Sequence, residues 1–333
     1  MKEALPRVSV GLPVYNGGDF LRACLDSLLN QTFSDFEIII SDNASTDNTE
    51  EICREYAALD PRVHYYRNDY NIGPVANFDR VLRLARGEYF KWAAHDDVSA
   101  PEWLARCVEV LDHHPEVALC YTRMRVMDSQ GQLLEEYCYN IHSNVAQTPR
   151  RFRNLMCVDH RRHSAIEIFG LMRREMMLKI PPQGMYARGD SVYLTRVSLF
   201  ARFYEVPEVL FFNRDHGKRS SRLPSNTIRS YTRMAAWLGV GPLPPTEWWD
   251  SSKRGKLTFP EWNLVREYWR SVSLAPLSLR DRAACYLAVG YWLMGHSPKL
   301  FRDVLIATEL VLRKLFRGSN GWPTSGEVSQ GNL

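Results

Sequence analysis

Between Val8 and His114 the chain alternates short β-branched runs with amphipathic segments. The runs VSVGL (Val8 to Leu12), EIIIS (Glu37 to Ser41), VHYYR (Val63 to Arg67) and YFKWAA (Tyr89 to Ala94) are separated by FLRACLDSLL, TEEICREYAAL and NFDRVLRLA, and are followed by WLARCVEVLDHH. Strand and helix taking turns at this spacing specify βαβ units, because parallel strands need a long crossover and a helix supplies it. The expected architecture is therefore an α/β fold, with a mostly parallel, Rossmann-like sheet flanked by helices. After Pro115 the pattern changes. VALCYTRMRVMD and LLEEYCYN flank SQGQ and predict a hairpin, a mixed-sheet edge. IEIFGL (Ile166 to Leu171) and VLFFNR (Val209 to Arg214) read as further strands. Beyond about residue 226 the chain reads as helical, with long segments at Ser278 to Met294 and Lys299 to Phe316, and the Gly/Ser-rich end from 318 to 333 as a disordered tail.

Composition removes several function classes. A formal charge of +4, from 42 basic and 38 acidic residues, is too mild for a protein that neutralises many phosphates, so no nucleic acid is expected as a partner. Seven cysteines without a C-x-x-C pair argue against zinc knuckles and point to a reducing compartment. The first residues lack the apolar core of a signal peptide, and AACYLAVGYWLMG falls short of the roughly 20 apolar residues of a spanning helix. A cytoplasmic location, or the inner face of the plasma membrane, is the expectation.

Ligands of open α/β sheets bind beyond the carboxyl ends of the strands, so polar residues there carry the chemistry. Three places qualify. PVYNGG, holding Pro13, Val14, Tyr15 and Asn16, turns tightly after the first strand. SDNASTDNTEE follows the second, where Asp47 and Glu50 read as a capping pair and Asp42 is left for a ribose or base. In KWAAHDDVSAPEWL, Ser99 and Glu102 form S-x-x-E around Pro101, which accounts for the helix start and frees Asp96 and Asp97. Two adjacent carboxylates facing one site repel unless a cation joins them, and Mg²⁺ or Mn²⁺ binds one or two protein carboxylates plus substrate phosphates. A metal-bridged nucleoside diphosphate is the economical reading.

With these residues in place, VSVGLPVYNGGDFLRACLDSLLNQTFSDFEIIISDNASTDNT and GEYFKWAAHDDVSAPEWL resemble the nucleotide-sugar glycosyltransferases of family 2, densely from Val8 to Met127 and loosely to Ser221. The resemblance implies a GT-A fold over residues 1–225, with a nucleotide-sugar half to about 128, an acceptor half after it, and a helical region over 226–317. It implies a metal-dependent, inverting transferase of hexosyltransferase type, working in polysaccharide, glycolipid or glycoconjugate synthesis. Its donor would be a UDP, dTDP or GDP sugar, and its acceptor a saccharide or a lipid-linked one. By the same resemblance Pro13, Val14, Tyr15, Asn16, Asp42, Asn77 and Asp96 hold the nucleotide sugar, Asp97 and His216 the metal (Mn²⁺ or Mg²⁺), with the roles of Asp96 and Asp97 open to exchange, and Lys218, Arg219 and Arg222 a basic flap on the diphosphate. Asp190, in GMYARGDSVYL, matches the catalytic base. The chain departs from the family's Asp-x-Asp-Asp at Ala94, and from the usual acid at Gly189. Two other readings stand beside it: a sugar nucleotidyltransferase, for which PVYNGG lacks basic residues, and a non-catalytic sugar-nucleotide or glycan binder. HRRH (His160 to His163) is too cationic for a metal and reads as acceptor-side or surface. The apolar faces and basic ends of the C-terminal helices suit peripheral contact with a membrane, packing on the catalytic domain, or packing on a second subunit in a homo-oligomer.

Overall fold

The computed structural model describes residues 5–137, 139–217, 243, 249–253 and 256–316. The strands are β1 (Val8–Val14), β2 (Phe36–Asp42), β3 (Val63–Arg67), β4 (Tyr89–Trp92), β5 (Val98–Ser99), β6 (Val117–Met127), β7 (Leu133–Tyr137), β8 (Leu171–Arg173) and β9 (Arg202–Arg214). The helices are α1 (Leu21–Leu29), α2 (Thr49–Leu59), α3 (Pro74–Leu84), α4 (Trp103–His113), α5 (Thr148–Met156), α6 (Arg174–Lys179), α7 (Gly189–Val197), α8 (Pro260–Leu274) and α9 (Leu279–Phe316). Among the described residues the strands form one sheet in the order β3-β2-β1-β4-β8-β6-β9-β5, with β7 also paired to β6. The first four strands are parallel; β8 runs antiparallel to both β4 and β6, and β9 parallel to β6. The alternating first third and the hairpin at SQGQ are borne out.

Two apolar layers sandwich the sheet. Val8, Val10, Leu12 and Val14 of β1 face Leu21, Leu25, Ile52, Trp103 and Leu104 on α1, α2 and α4. The other face packs Ile39, Phe90 and Trp92 against Val81 of α3 and Tyr193, Leu194 and Val197 of α7. Gly11 is what lets α3 lie so close: a Cβ there would sit 2.7 Å from Val81 Cγ2 and 2.6 Å from the Phe90 ring.

Three local expectations are corrected. IEIFGL is not a strand but a 3₁₀ turn over Ile166–Phe169 leading into β8. Its acid, Glu167, is fully buried and bonded at 2.9 Å to His163 Nε2, so the turn follows the acid inward instead of alternating it to solvent. Second, Ser99 does not cap α4. It lies in β5, and the first turn is completed by Gln31, whose Oε1 accepts the Leu104 N–H at 2.8 Å. Third, the two C-terminal segments are one 38-residue helix with Pro298 inside. Proline withdraws the N–H that would serve the Met294 carbonyl, and the Ser297 hydroxyl donates to that carbonyl instead at 2.8 Å.

Helices α8 and α9 pack on α5 and α7 through Phe152, Met156, Val192, Leu264, Tyr268, Val289 and Trp292. Inside this contact Arg196 of α7 donates to Glu267 Oε2 (3.0 Å), Ser271 Oγ (3.0 Å) and the Pro181 carbonyl (2.9 Å), with both charged side chains buried. Removing one partner of such a pair strands the other charge. We expect Arg196→Met to lower the unfolding free energy by about 3–5 kcal/mol in urea titrations, and Arg196→Met with Glu267→Leu to recover much of it; equal losses in the single and double variants would refute the coupling.

Candidate active site

The carboxyl ends of β1, β2 and β4 meet in one polar region, held together by loops that bond to each other. Asn16, in the left-handed region at φ 49°, donates its N–H to Ser45 Oγ (2.9 Å) and accepts from the Thr46 N–H through Oδ1 (2.8 Å). Gly17 and Gly18 donate to Thr49 Oγ1 (2.9 Å) and Asp47 Oδ2 (3.0 Å). Asp47 also accepts from Thr49, so it does anchor the start of α2, while Glu50 pairs with Arg54 and Arg67 instead of closing a capping box. Gly17 must be glycine for a second reason: a Cβ would come within 2.7 Å of the His95 ring, the residue preceding Asp96.

Asp42, at the end of β2, is fully buried and accepts from the Ser45 N–H (2.9 Å), the Tyr65 hydroxyl (2.9 Å) and Arg67 Nη1 (2.6 Å). Arg67, a third exposed, carries this cluster toward solvent. Asn77 is buried and spends its amide on Ser41 and Asn68. Pro13 and Val14 are buried in the strand end, and Tyr15 and Asn16 are half-buried at its rim.

The two aspartates of the HDD stretch have different surroundings. Asp97 is buried and accepts from Asn213 Nδ2 (2.9 Å) and the Arg214 backbone N–H (2.9 Å) through Oδ1. Asp96 is partly exposed, and its Oδ2 lies 2.9 Å from His216 Nε2. The His216 ring leans on Phe20 at 4.7 Å, and its buried Nδ1 has no hydrogen-bond partner among the described residues. Arg214 lies over the same Phe20 ring at 4.9 Å and donates Nε–H to the Asp96 carbonyl at 3.0 Å. His216 is thus brought to Asp96 and not to Asp97. Among the described residues no three His, Cys, Asp or Glu side chains form a metal-binding group, so the protein offers a cation one carboxylate and one imidazole. That donor set fits Mn²⁺ or Mg²⁺ whose other positions belong to phosphate and water. Lys218, Arg219 and Arg222 lie outside the described residues.

Asp190 opens α7, which the Trp92–Tyr193 edge contact (5.8 Å) holds against the end of β4. One of its oxygens accepts the Ser191 N–H at 2.7 Å, and the other has no protein partner among the described residues. Burial raises its carboxyl above the usual aspartate range, against the pull of the Ser191 N–H.

Comparison with known proteins follows this geometry. The family model described as glycosyl transferase family 2 matches residues 9–180, more than half of the chain. The chain belongs to glycosyl transferase family 2. Relatives of this family 2 protein include an uncharacterized glycosyltransferase of Methanocaldococcus jannaschii, 31% identical over 134 residues, 40% of this chain and 46% of that one. Chondroitin synthase of Escherichia coli is 34% identical over 146 residues, 43% of this chain and 21% of that one. The chain spans less than half the length of either relative. In structure it is similar to TarS 1–349 of S. aureus in complex with UDP-GlcNAc, with a TM-score of 0.52, 15% identity and 92% of each chain covered, a likeness of fold. The GT-A fold with a helical C-terminal segment, expected from the resemblance, is borne out.

Asn213, Arg214, Arg67 and Lys91 were not anticipated as parts of this site. The signal of Asn213, Arg214 and Arg67 in the sequence is faint, because each acts on a residue far away in the chain. Lys91 is buried beneath Asp97, its Nζ 3.8 Å from the Trp103 ring centre and 5.6 Å from that of Phe211. Burial pushes its ammonium down to about 8, opposed by the field of nearby groups including Asp97. Against an unfolded lysine near about 10.4, the unfolded chain binds more protons between these values, so stability rises with pH there. Lys91→Met removes this term, and the urea-unfolding difference between variant and parent is expected to shift in the parent's favour from pH 8 to about 10; a difference that stays flat would contradict it.

Proposed function

We propose that the protein transfers a sugar from a nucleoside diphosphate sugar to an acceptor hydroxyl, with inversion at the anomeric carbon. The observation that carries this reading is the meeting of Asp96 and His216, 120 residues apart, at the end of β4 in a chain of this family. The loop Pro13–Asn16 and the Asp42–Arg67 cluster would receive the nucleoside, with Asn77 bracing them from behind through Ser41 and Asn68. Asp96 and His216 would hold the divalent cation, and Asp97 would brace them by fixing the end of β9. This exchanges the roles expected for the two aspartates, because Asp97 spends its Oδ1 on Asn213 and Arg214 while Asp96 shares its Oδ2 with His216 alone. When bound, the cation neutralises the diphosphate as it departs.

The chain's own part in the chemistry is proton transfer and exclusion of water. The unpartnered oxygen of Asp190 accepts the proton of the acceptor hydroxyl as that oxygen attacks the anomeric carbon opposite the leaving diphosphate. The new glycosidic bond forms as the old C–O bond breaks, through an oxocarbenium-like state. Burial suits Asp190 to this role, since a carboxylate of raised pKa is the stronger base once ionised.

Thermal shifts with UDP, dTDP and GDP, each with and without Mn²⁺, test the donor site. One nucleotide is expected to stabilise the protein with Mn²⁺ present, and Asp96→Asn and His216→Ala to lose the metal-dependent part. Unchanged shifts in both variants would remove the metal assignment. Asp190→Asn is expected to keep nucleotide binding while turnover drops by about 10²- to 10⁴-fold. The base must be ionised, so turnover in the parent protein falls with acid from above the ordinary aspartate range. Near-full activity in Asp190→Asn would rule out its role as base.

A further inference from the structure

Helices α5 and α9 enclose an open groove of about 990 Å³. Its α9 side is apolar, with Leu287, Ala288 and Tyr291, and Leu287 and Tyr291 are largely exposed. Its α5 side carries Arg150 and Arg153, exposed and without acidic partners among the described residues. The groove adjoins the helix of the candidate base, because Val192 of α7 packs in one cluster with Met156 and Trp292, the neighbours of groove residues Cys157 and Tyr291. From Cys157 and Val158 in the groove the chain runs to His160, and from Tyr291 the helix runs to His296 and Lys299. His296 is placed by stacking on Trp292, at 3.9 Å and 11°, and Lys299 by the Trp262 indole N–H on the next carbonyl, that of Leu300, at 3.1 Å. Arg188, two residues before Asp190 and left-handed at φ 65°, has no hydrogen-bond or ion-pair partner for its side chain among the described residues, nor has Lys299. Burial and then Arg188, His163, Lys299 and His296 push His160 down to about 3, while Glu261 acts in the opposite sense on His296 and Lys299. The exposed positions of α9 from Ala283 to Leu312 include no charged residue.

An uncharged, apolar wall that ends at unpaired cations beside an acid–base carboxylate is complementary to an amphiphile with an anionic joint. We propose that this groove is the acceptor site and that the acceptor is a lipid phosphate, its alkyl chain along Leu287 and Tyr291 and its phosphate at Arg188 and Lys299, presenting a sugar hydroxyl to Asp190. This rests on the transferase reading for the word acceptor, but the binding site itself is tested without a donor.

Calorimetric titration of the whole chain with dodecyl phosphate, below its critical micelle concentration, measures it directly. Dodecyl glucoside supplies the chain without the charge, and inorganic phosphate the charge without the chain. Dodecyl phosphate is expected to bind about tenfold or more tightly than either. Lys299→Gln combined with Arg188→Gln, and separately the surface change Tyr291→Glu, are each expected to weaken it by about tenfold while nucleoside diphosphate binding persists. Equal affinity for the glucoside, or undiminished binding in both variants, overturns the proposal. So does a parent protein that sediments as a dimer and becomes monomeric on Tyr291→Glu, since a second copy would then cover the groove. Failure of the parent protein to bind any nucleoside diphosphate counts against the donor site alone, because alkyl phosphate binding that depends on Lys299 and Tyr291 supports the groove regardless.

Discussion

The buried carboxylate of Asp97 joins two parts of the chain that local structure would leave apart. A carboxylate out of water must be matched by donors, and here they come from the end of β9, in the Asn213 amide and the Arg214 N–H. Because those donors are fixed by the β6–β9 pairing, the turn after β4 is fixed to them, and His216, two residues beyond Arg214, is delivered to Asp96. The short β5–β9 ladder repeats the connection, with Val98 opposite Phe212 and Ser99 opposite Phe211. The site geometry is therefore a property of the sheet, with loops contributing reach and little freedom.

Lys91 gives this arrangement an electrostatic side. It places a cation under Asp97 at the cost of its own desolvation, and the Trp103 face offsets part of that cost. On the other side of the sheet, α7 links the candidate base to the C-terminal helices through Arg196 and Glu267. Lys299 on α9 and Arg188 at the start of α7 lie in each other's field, with Glu261 opposing it at Lys299. The C-terminal helices thus pack on the catalytic domain, one of the arrangements the sequence left open.

Much of this was legible in advance, and the boundary of legibility has a physical cause. The apolar runs and the 3.6-residue patterns from Val8 to His113 give the right elements because β1, β2 and β4 are buried on both faces, while each helix between them buries one side against the sheet. The misreadings share one origin, a polar group whose partner lies far along the chain. Ser99 looked like a cap because Gln31, more than seventy residues earlier and the true partner of the Leu104 N–H, is invisible to a local pattern. IEIFGL read as a strand because the buried histidine that holds Glu167 was not in view. The C-terminal helix read as two segments because the Ser297 hydroxyl, which serves the carbonyl left open by Pro298, was not in view.

The proposed exchange of roles between Asp96 and Asp97 rests on the same cause. Spacing orders the acids along the chain, but the number of protein donors each receives decides which remains available to a ligand. Asp97 receives the Asn213 and Arg214 donors and is committed to holding the fold, whereas Asp96 meets a single imidazole that is itself a metal ligand by type. Ala94 reinforces this division. Its side chain brings no third carboxylate, and its carbonyl accepts the Cys24 thiol (3.2 Å) and the Asp97 N–H (3.4 Å), so the position that related chains fill with an acid here serves the backbone of the turn. With no acid at Ala94, repulsion across the site is limited to the two remaining aspartates, one of them already matched by buried donors. That leaves Asp96 as the carboxylate whose charge a cation and a diphosphate would share.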